Sequence, residues 1–198
     1  MKRLTLLVLS VAMIIASSAT FAGSYPTNSE YQFNPNQTYF AWPTLSRRIV
    51  TNGDWGTKRT NSNGSTRPHR GIDIGPTKAG LKGQAVYAAQ SGKVVGIFNE
   101  GYGNVVAINH DGADFNAPGT YYRTVYTHVD SILVSVGDNV SRGQKIATMS
   151  NSGTVGIHLH FEFHRIPSMT SSYNTWAVVR DVPFDPKLAY NGYLPVIQ

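Results

Sequence analysis

Two imidazoles one residue apart, His158 and His160, stand in a stretch that alternates without a break from Gly156 to His164. Ile157, Leu159, Phe161 and Phe163 take one parity; His158, His160, Glu162 and His164 take the other. Alternation with aromatic residues predicts a β-strand. Successive side chains of a strand leave on opposite faces, so one face is apolar and buried while the other carries three imidazoles and a carboxylate. At a rise of about 3.3 Å per residue, His158 and His160 lie about 7 Å apart at Cα, close enough to address one metal ion and a water molecule. His164 lies about 13 Å from His160 on the same arithmetic, too far to share that ion along a straight strand.

Partners for such a site occur upstream. His69 and Asp73 are four residues apart within Pro68–Gly75, where Pro68, Gly71 and Gly75 argue against a helix. On a strand, positions 69, 71 and 73 share a face, with Gly71 leaving space between two ligands and Ile72 and Ile74 turned to the core. His128 comes near the end of Tyr121 to Val129, where its parity is that of Tyr126. Tyr126 is therefore expected beside it, lining a groove or packing. His110 abuts Asp111-Gly112 and reads as a turn residue. The chain has no Cys, so a zinc site must be built from His and carboxylate. A catalytic zinc takes three protein ligands and keeps one position for water. Three ligands drawn from His69, Asp73, His128, His158 and His160 leave two groups to orient the water, take its proton and stabilise an oxyanion. The inventory suits metal-assisted amide hydrolysis, and spacing alone does not divide ligands from acid–base groups.

The elements that must position these groups are short strands. From Ala85 onward, apolar runs of strand length are separated by glycine turns such as Ser91-Gly92, Gly101-Tyr102-Gly103-Asn104, Gly137-Asp138 and Arg142-Gly143. No stretch reads as a helix of ten or more residues, which predicts a mainly β, antiparallel core. Lys58 to Pro68 and Asp111 to Tyr122 read as long loops. At 198 residues, 41% hydrophobic and 14% charged, the chain suits one domain with its own core and excludes coiled coil and disordered polyelectrolyte. Residues 1–22 read as a signal peptide: Lys2 and Arg3, an apolar run from Leu4 to Ala16, then Thr20 and Ala22 at the cleavage positions. The apolar run is too short for a membrane span. Residues 23–39 read as an arm or linker, and 40–198 as the folded domain with its motifs between 69 and 163. Loss of Lys2 and Arg3 takes 17 basic residues to 15 against 11 acidic ones, a net charge of +4 in place of +6. That excess favours anionic partners such as wall polymers. It lacks the dense basic runs that would point to nucleic acid.

Five pieces occur in one order: His69-Arg70-Gly71-Ile72-Asp73, Gly101-Tyr102-Gly103-Asn104-Val105-Val106, Tyr126-Thr127-His128, Val136-Gly137-Asp138-Asn139-Val140-Ser141-Arg142-Gly143-Gln144 and His158-Leu159-His160-Phe161-Glu162. In this ordered set the chain resembles the lysostaphin/LytM-type zinc metallopeptidases, which cut peptide bonds of bacterial peptidoglycan. The resemblance spans about Phe40 to Phe163. It implies the family's antiparallel β fold with loops bordering a groove, and one zinc ion held by His69, Asp73 and His160. It makes His128 and His158 the catalytic pair. In the family the metal polarises the scissile carbonyl, its bound water attacks, and the two histidines handle protons and oxyanion charge. Glu162 then stands where a carboxylate could orient a ligand imidazole. The expected protein is a secreted or periplasmic endopeptidase acting as a monomer on peptidoglycan peptides, with no stable membrane anchor after signal cleavage. The alternative is a non-enzymatic wall-binding or regulatory protein that retains the fold. Family members that only activate other enzymes have usually lost metal ligands, whereas here every position is filled.

Overall fold

The computed structural model describes residues 31–33, 40–100, 103–111, 119, 121–171, 173, 182–187 and 193–195. The expected signal peptide of residues 1–22, most of the expected arm and the apolar residues 176–179 lie outside them. All named elements are strands: β1 (Tyr31–Phe33), β2 (Lys58–Thr60), β3 (Thr66–Pro68), β4 (Ile72–Ile74), β5 (Ala85–Tyr87), β6 (Gly92–Glu100), β7 (Gly103–Asp111), β8 (Tyr121–Asp130), β9 (Asn139–Val140), β10 (Lys145–Met149), β11 (Leu159–Ile166), β12 (Val182–Phe184) and β13 (Tyr193–Pro195).

The long strands meet in one antiparallel sheet with the order β12-β11-β8-β7-β6-β9. β10 pairs with β5 and β8. Strand β11 offers one edge to two partners in succession: its first residues pair with β4, Leu159 opposite Ile74 and Phe161 opposite Ile72. Its later residues pair with β12. The parity read from the sequence decides the faces. Leu159, Phe161 and Phe163 join Ile72, Ile74, Val106, Ile108, Tyr122 and Tyr126 in the main core, all fully or almost fully buried. Each such side chain contributes about 1.5–3 kcal/mol on burial, which pins the register, since a slip of one residue would turn every one of them outward. The opposite face is covered around Val105, Ala107 and Val125 by Tyr173. Arg123, fully buried, fastens that cover. It donates Nε–H to Asn109 Oδ1 at 2.8 Å and Nη2–H to the Ser171 carbonyl at 2.7 Å, and lies 4.7 Å from the Tyr173 ring centre.

Several expectations change. Lys58 to Pro68 is a β-hairpin, with Arg59 opposite Arg67 and the Asn63-Gly64 turn at its tip. Within the expected arm, Tyr31–Phe33 pairs with Tyr193–Pro195. The Asp111–Tyr122 connection is bracketed by a strand pair, Asp111 opposite Tyr121. Residues 112–118 are outside the described set.

Candidate metal centre

Sheet register brings two candidate groups side by side. His160 lies opposite Asp73 on β4 and opposite Thr127 on β8, so one row across three strands carries all three. His69 follows β3 and is anchored by its backbone, its N–H donating to the Thr57 carbonyl at 2.8 Å and its carbonyl accepting from Gly56 at 2.9 Å. The His69 Nδ1 sits 2.9 Å from the Asp54 carbonyl. An imidazole N–H must donate there, which turns the Nε2 lone pair inward. Three atoms then converge: His69 Nε2 is 2.9 Å from His160 Nδ1 and 3.2 Å from Asp73 Oδ1, and His160 Nδ1 is 2.9 Å from Asp73 Oδ1. Tetrahedral zinc with bonds of about 2.0–2.1 Å sets its ligand atoms about 3.3 Å apart. The triangle is near that size, and its two-imidazole, one-carboxylate chemistry fits the ion.

Behind His160, Nε2–H donates to Glu162 Oε1 at 2.9 Å, and the other oxygen of Glu162 accepts from His164 Nε2 at 2.5 Å. His164 is therefore linked to the site through Glu162 without reaching the triangle. Burial pushes the Glu162 carboxyl up, but the hydrogen bonds from His160 and His164 outweigh it and hold it well below the usual carboxylate range. Asp73 behaves likewise, burial being outweighed chiefly by the hydrogen bond from His160. Burial pushes His160 down, yet its bonds to Asp73 and Glu162 raise it to about 9. A proton held there would compete with a cation for the same atom, so a metal bound at this triangle would displace it and would bind more weakly as pH falls.

Gly71 does not leave room between ligands. A Cβ on it would stand 2.4 Å from the Phe161 carbonyl oxygen. Glycine lets β11 approach the 69–73 segment, and the candidate ligands converge by that approach.

His128 reaches the cleft by a β-bulge. Asn104 and Val105 of β7 face Val129 and Thr127 of β8, so His128 is an extra residue, and its φ is +64°. Bulges re-aim side chains and raise local twist, and a non-glycine residue at positive φ is strained unless its surroundings hold it. Ser150 does so: its backbone N–H and its Oγ–H both donate to the His128 carbonyl, at 3.0 and 2.8 Å. The bulge separates His128 from Tyr126, whose shared parity had placed them together. Tyr126 is fully buried, its hydroxyl accepting from the Ala89 N–H at 2.7 Å, and its role is packing.

His128 Nδ1 is 2.8 Å from the Ser152 carbonyl and His158 Nδ1 is 2.9 Å from the Gly156 carbonyl. Each ring donates backward, which leaves both Nε2 atoms as acceptors. The rings meet edge to face with centres 4.6 Å apart, and His158 Nε2 is 3.7 Å from Asp73 Oδ1, beyond hydrogen-bond reach. Burial, aided by the neighbouring His158, pushes His128 down to about 4. Burial also lowers His158, against the pull of Asp73. Both are neutral bases at pH 7.

All five candidate residues border one cleft of about 430 Å³. It is also lined by Thr127, Arg59, Arg67 and Arg70, the arginines being residues that sequence reasoning missed. Arg59 donates to Asp73 Oδ2 at 2.7 Å. The Asn63-Gly64 dipeptide signals a hairpin, but a two-residue turn there would set 59 opposite 68. The three-residue loop Ser62-Asn63-Gly64, closed by the Asn61 N–H on the Ser65 carbonyl at 2.8 Å, is what pairs 59 with 67. His110 is no turn residue. It is fully buried in β7, with Nδ1 3.0 Å from the Ser91 carbonyl and Nε2 2.8 Å from Thr124 Oγ1.

Residues 67–176, more than half of the chain, match the profile of Peptidase family M23. The chain belongs to this family. Among M23-like relatives, the murein hydrolase activator NlpD of Salmonella dublin is 37% identical over 139 residues, covering 69% of this chain and 33% of its own. The uncharacterized lipoprotein YgeR of Escherichia coli is 34% identical over 155 residues, covering 76% of this chain and 49% of its own. The chain thus spans a third to a half of these relatives' length. Among solved structures, a zinc-containing peptidase from Vibrio cholerae aligns with a TM-score of 0.53 at 30% identity, over 78% of this chain and 40% of that one. The antimicrobial peptidase lysostaphin of Staphylococcus simulans aligns at 0.51 and 25%, over 74% and 50%. The M23 fold of the chain is the lysostaphin-like antiparallel sheet.

Proposed function

We propose that this chain is a zinc metalloendopeptidase that hydrolyses peptides of bacterial peptidoglycan in the cell envelope, exported through residues 1–22 and acting as a monomer free of the membrane. The observation that carries the reading is convergence: a two-imidazole, one-carboxylate triangle and two neutral imidazoles share one cleft. His69, Asp73 and His160 would hold the zinc. When bound, the ion supplies Lewis-acid polarisation of a carbonyl and lowers the pKa of water. The chain's own groups do the rest. His158 extends from the start of β11 with Nε2 as acceptor, placed to take a proton from the attacking water. His128 approaches from β8 and, once protonated, donates to the oxyanion or the departing amine. The Ser152 and Gly156 carbonyls keep both rings in the tautomer this needs.

A second reading, an activator of another murein hydrolase, is favoured by the likeness to NlpD. One experiment separates the two. Zinc content and loss of turbidity of a purified wall suspension are measured for wild type, with and without chelator, and for His128→Ala and His158→Ala. The peptidase reading expects chelator-sensitive lysis, and each variant keeping its zinc but losing roughly 10²–10⁴-fold in rate. The double variant should lose far less than the product of the two. Wild-type protein that carries zinc but releases nothing, while stimulating an added murein hydrolase, would establish the activator.

A further inference from the structure

The β2–β3 hairpin sets Arg59 directly opposite Arg67. Side chains directly opposite in an antiparallel pair share a face, and like charges there destabilise it. The pair stands on the wall of the cleft together with Arg70. The carboxylates lining the same cleft are Asp73 and Glu162, 6% and 1% exposed. Both are committed: Asp73 to His69, His160 and Arg59, Glu162 to His160 and His164. Arg67 is exposed, and among the described residues no carboxylate pairs with it. A short hairpin therefore holds two like charges together at the mouth of the site, one of them tied at 2.7 Å to a candidate metal ligand. A ligand anion would relieve that repulsion.

We infer that Arg59 and Arg67 form an anion subsite that reads a free carboxylate beside the scissile amide. This rests on the peptidase reading above and deepens it to a substrate class. The preferred substrates are peptides in which the residue joined at the cut bond carries a free carboxylate, as in a cross-link through a diamino dicarboxylic acid. Neutral glycine bridges are the disfavoured class. Guanidinium forks match a carboxylate in two parallel hydrogen bonds. Arg59 spends part of its fork on Asp73, which fixes the subsite next to the metal centre. Arg67 supplies the charge still open to a ligand.

The test uses two synthetic cross-linked muropeptides that differ in one group: the carboxylate beside the cross-link amide is free in one and a carboxamide in the other. Binding is read by calorimetry on the full exported chain carrying His158→Ala, so that affinity is measured without turnover. Hydrolysis is read separately on wild type by mass analysis of the products. The carboxylate peptide is expected to bind about tenfold more tightly, the scale of a partly exposed charge-assisted contact. The preference should fall with added salt. Arg67→Gln should bring the ratio to about one, and Arg67→Glu should invert it. Equal binding of the two peptides, or a preference that survives Arg67→Gln, overturns the subsite. Failure of wild type to cut either peptide overturns the peptidase reading instead, and the binding ratio still decides whether the arginines read a carboxylate.

Discussion

Glu162 is the group through which the interior of the sheet acts on the candidate metal centre, and Glu162→Gln isolates that action. The side chain is 1% exposed and ionised, and it accepts from His160 Nε2 at 2.9 Å and from His164 Nε2 at 2.5 Å. Glutamine keeps the shape, removes the charge and replaces one acceptor by a donor. Two charge-assisted hydrogen bonds become, at best, one neutral bond and one contact that forces a new tautomer on an imidazole. Charge-assisted bonds are roughly twice as strong as neutral ones, so the pair together loses about 2 kcal/mol. In metal sites, loss of the partner that orients a ligand imidazole lowers affinity by roughly 10–100-fold, which is about 1.4–2.7 kcal/mol. The two magnitudes agree. Zinc affinity is measured by competition with a chromophoric chelator at pH 7.5, and folding is checked by thermal unfolding. The dissociation constant should rise by at least about tenfold. A constant within a factor of two of wild type, in a protein that unfolds at the same temperature, would refute any orienting role and leave Glu162 as a packed polar residue.

Gly71→Ala should push β11 away from the 69–73 segment, because the new methyl would lie 2.4 Å from the Phe161 carbonyl. The expected cost is about 1–3 kcal/mol with weakened metal uptake, and an unchanged melting temperature would count against it. His110 should make stability fall in mild acid. Its pKa is pushed down by burial to about 4 from 6.5, so the unfolded chain takes up the proton first. The contribution is whole above pH 6.5 and is lost as pH drops through 4, about 3 kcal/mol in all. In urea unfolding between pH 7 and 4, the advantage of wild type over His110→Gln should shrink by that amount. A constant gap would show that His110 is not held neutral by the fold.

Alternation from Ile157 to His164 was legible because β11 is regular and buried on both faces, and the paired faces follow from it directly. The convergence of His69, Asp73 and His160 needed the close approach of β4 and β11, which depends on a missing Cβ at Gly71 that reads locally as mere space. Tyr126 and His128 could not be separated by parity, since a bulge leaves no residue-type mark of its own. His110 was misread because Asp111-Gly112 signals a turn where the strand in fact runs on through Asp111, which pairs with Tyr121. Lys58 to Pro68 is too polar and too short-stranded for periodicity to show, and only its Asn63-Gly64 tip announces a hairpin.

The extra residue in β8 has a consequence for how this cleft tolerates change. Tyr126 and Val129 both point into the core, three positions apart where a regular strand would allow two or four. What places His128 outside is thus a residue count. A deletion between Tyr126 and Val129 would restore even phase to the strand and leave one outward position where there are now two, Thr127 and His128. Every side chain could be conserved in type and the cleft would still lose one of its walls. Substitution tables are blind to such a lesion; the frame of the strand, like a reading frame, is itself the information.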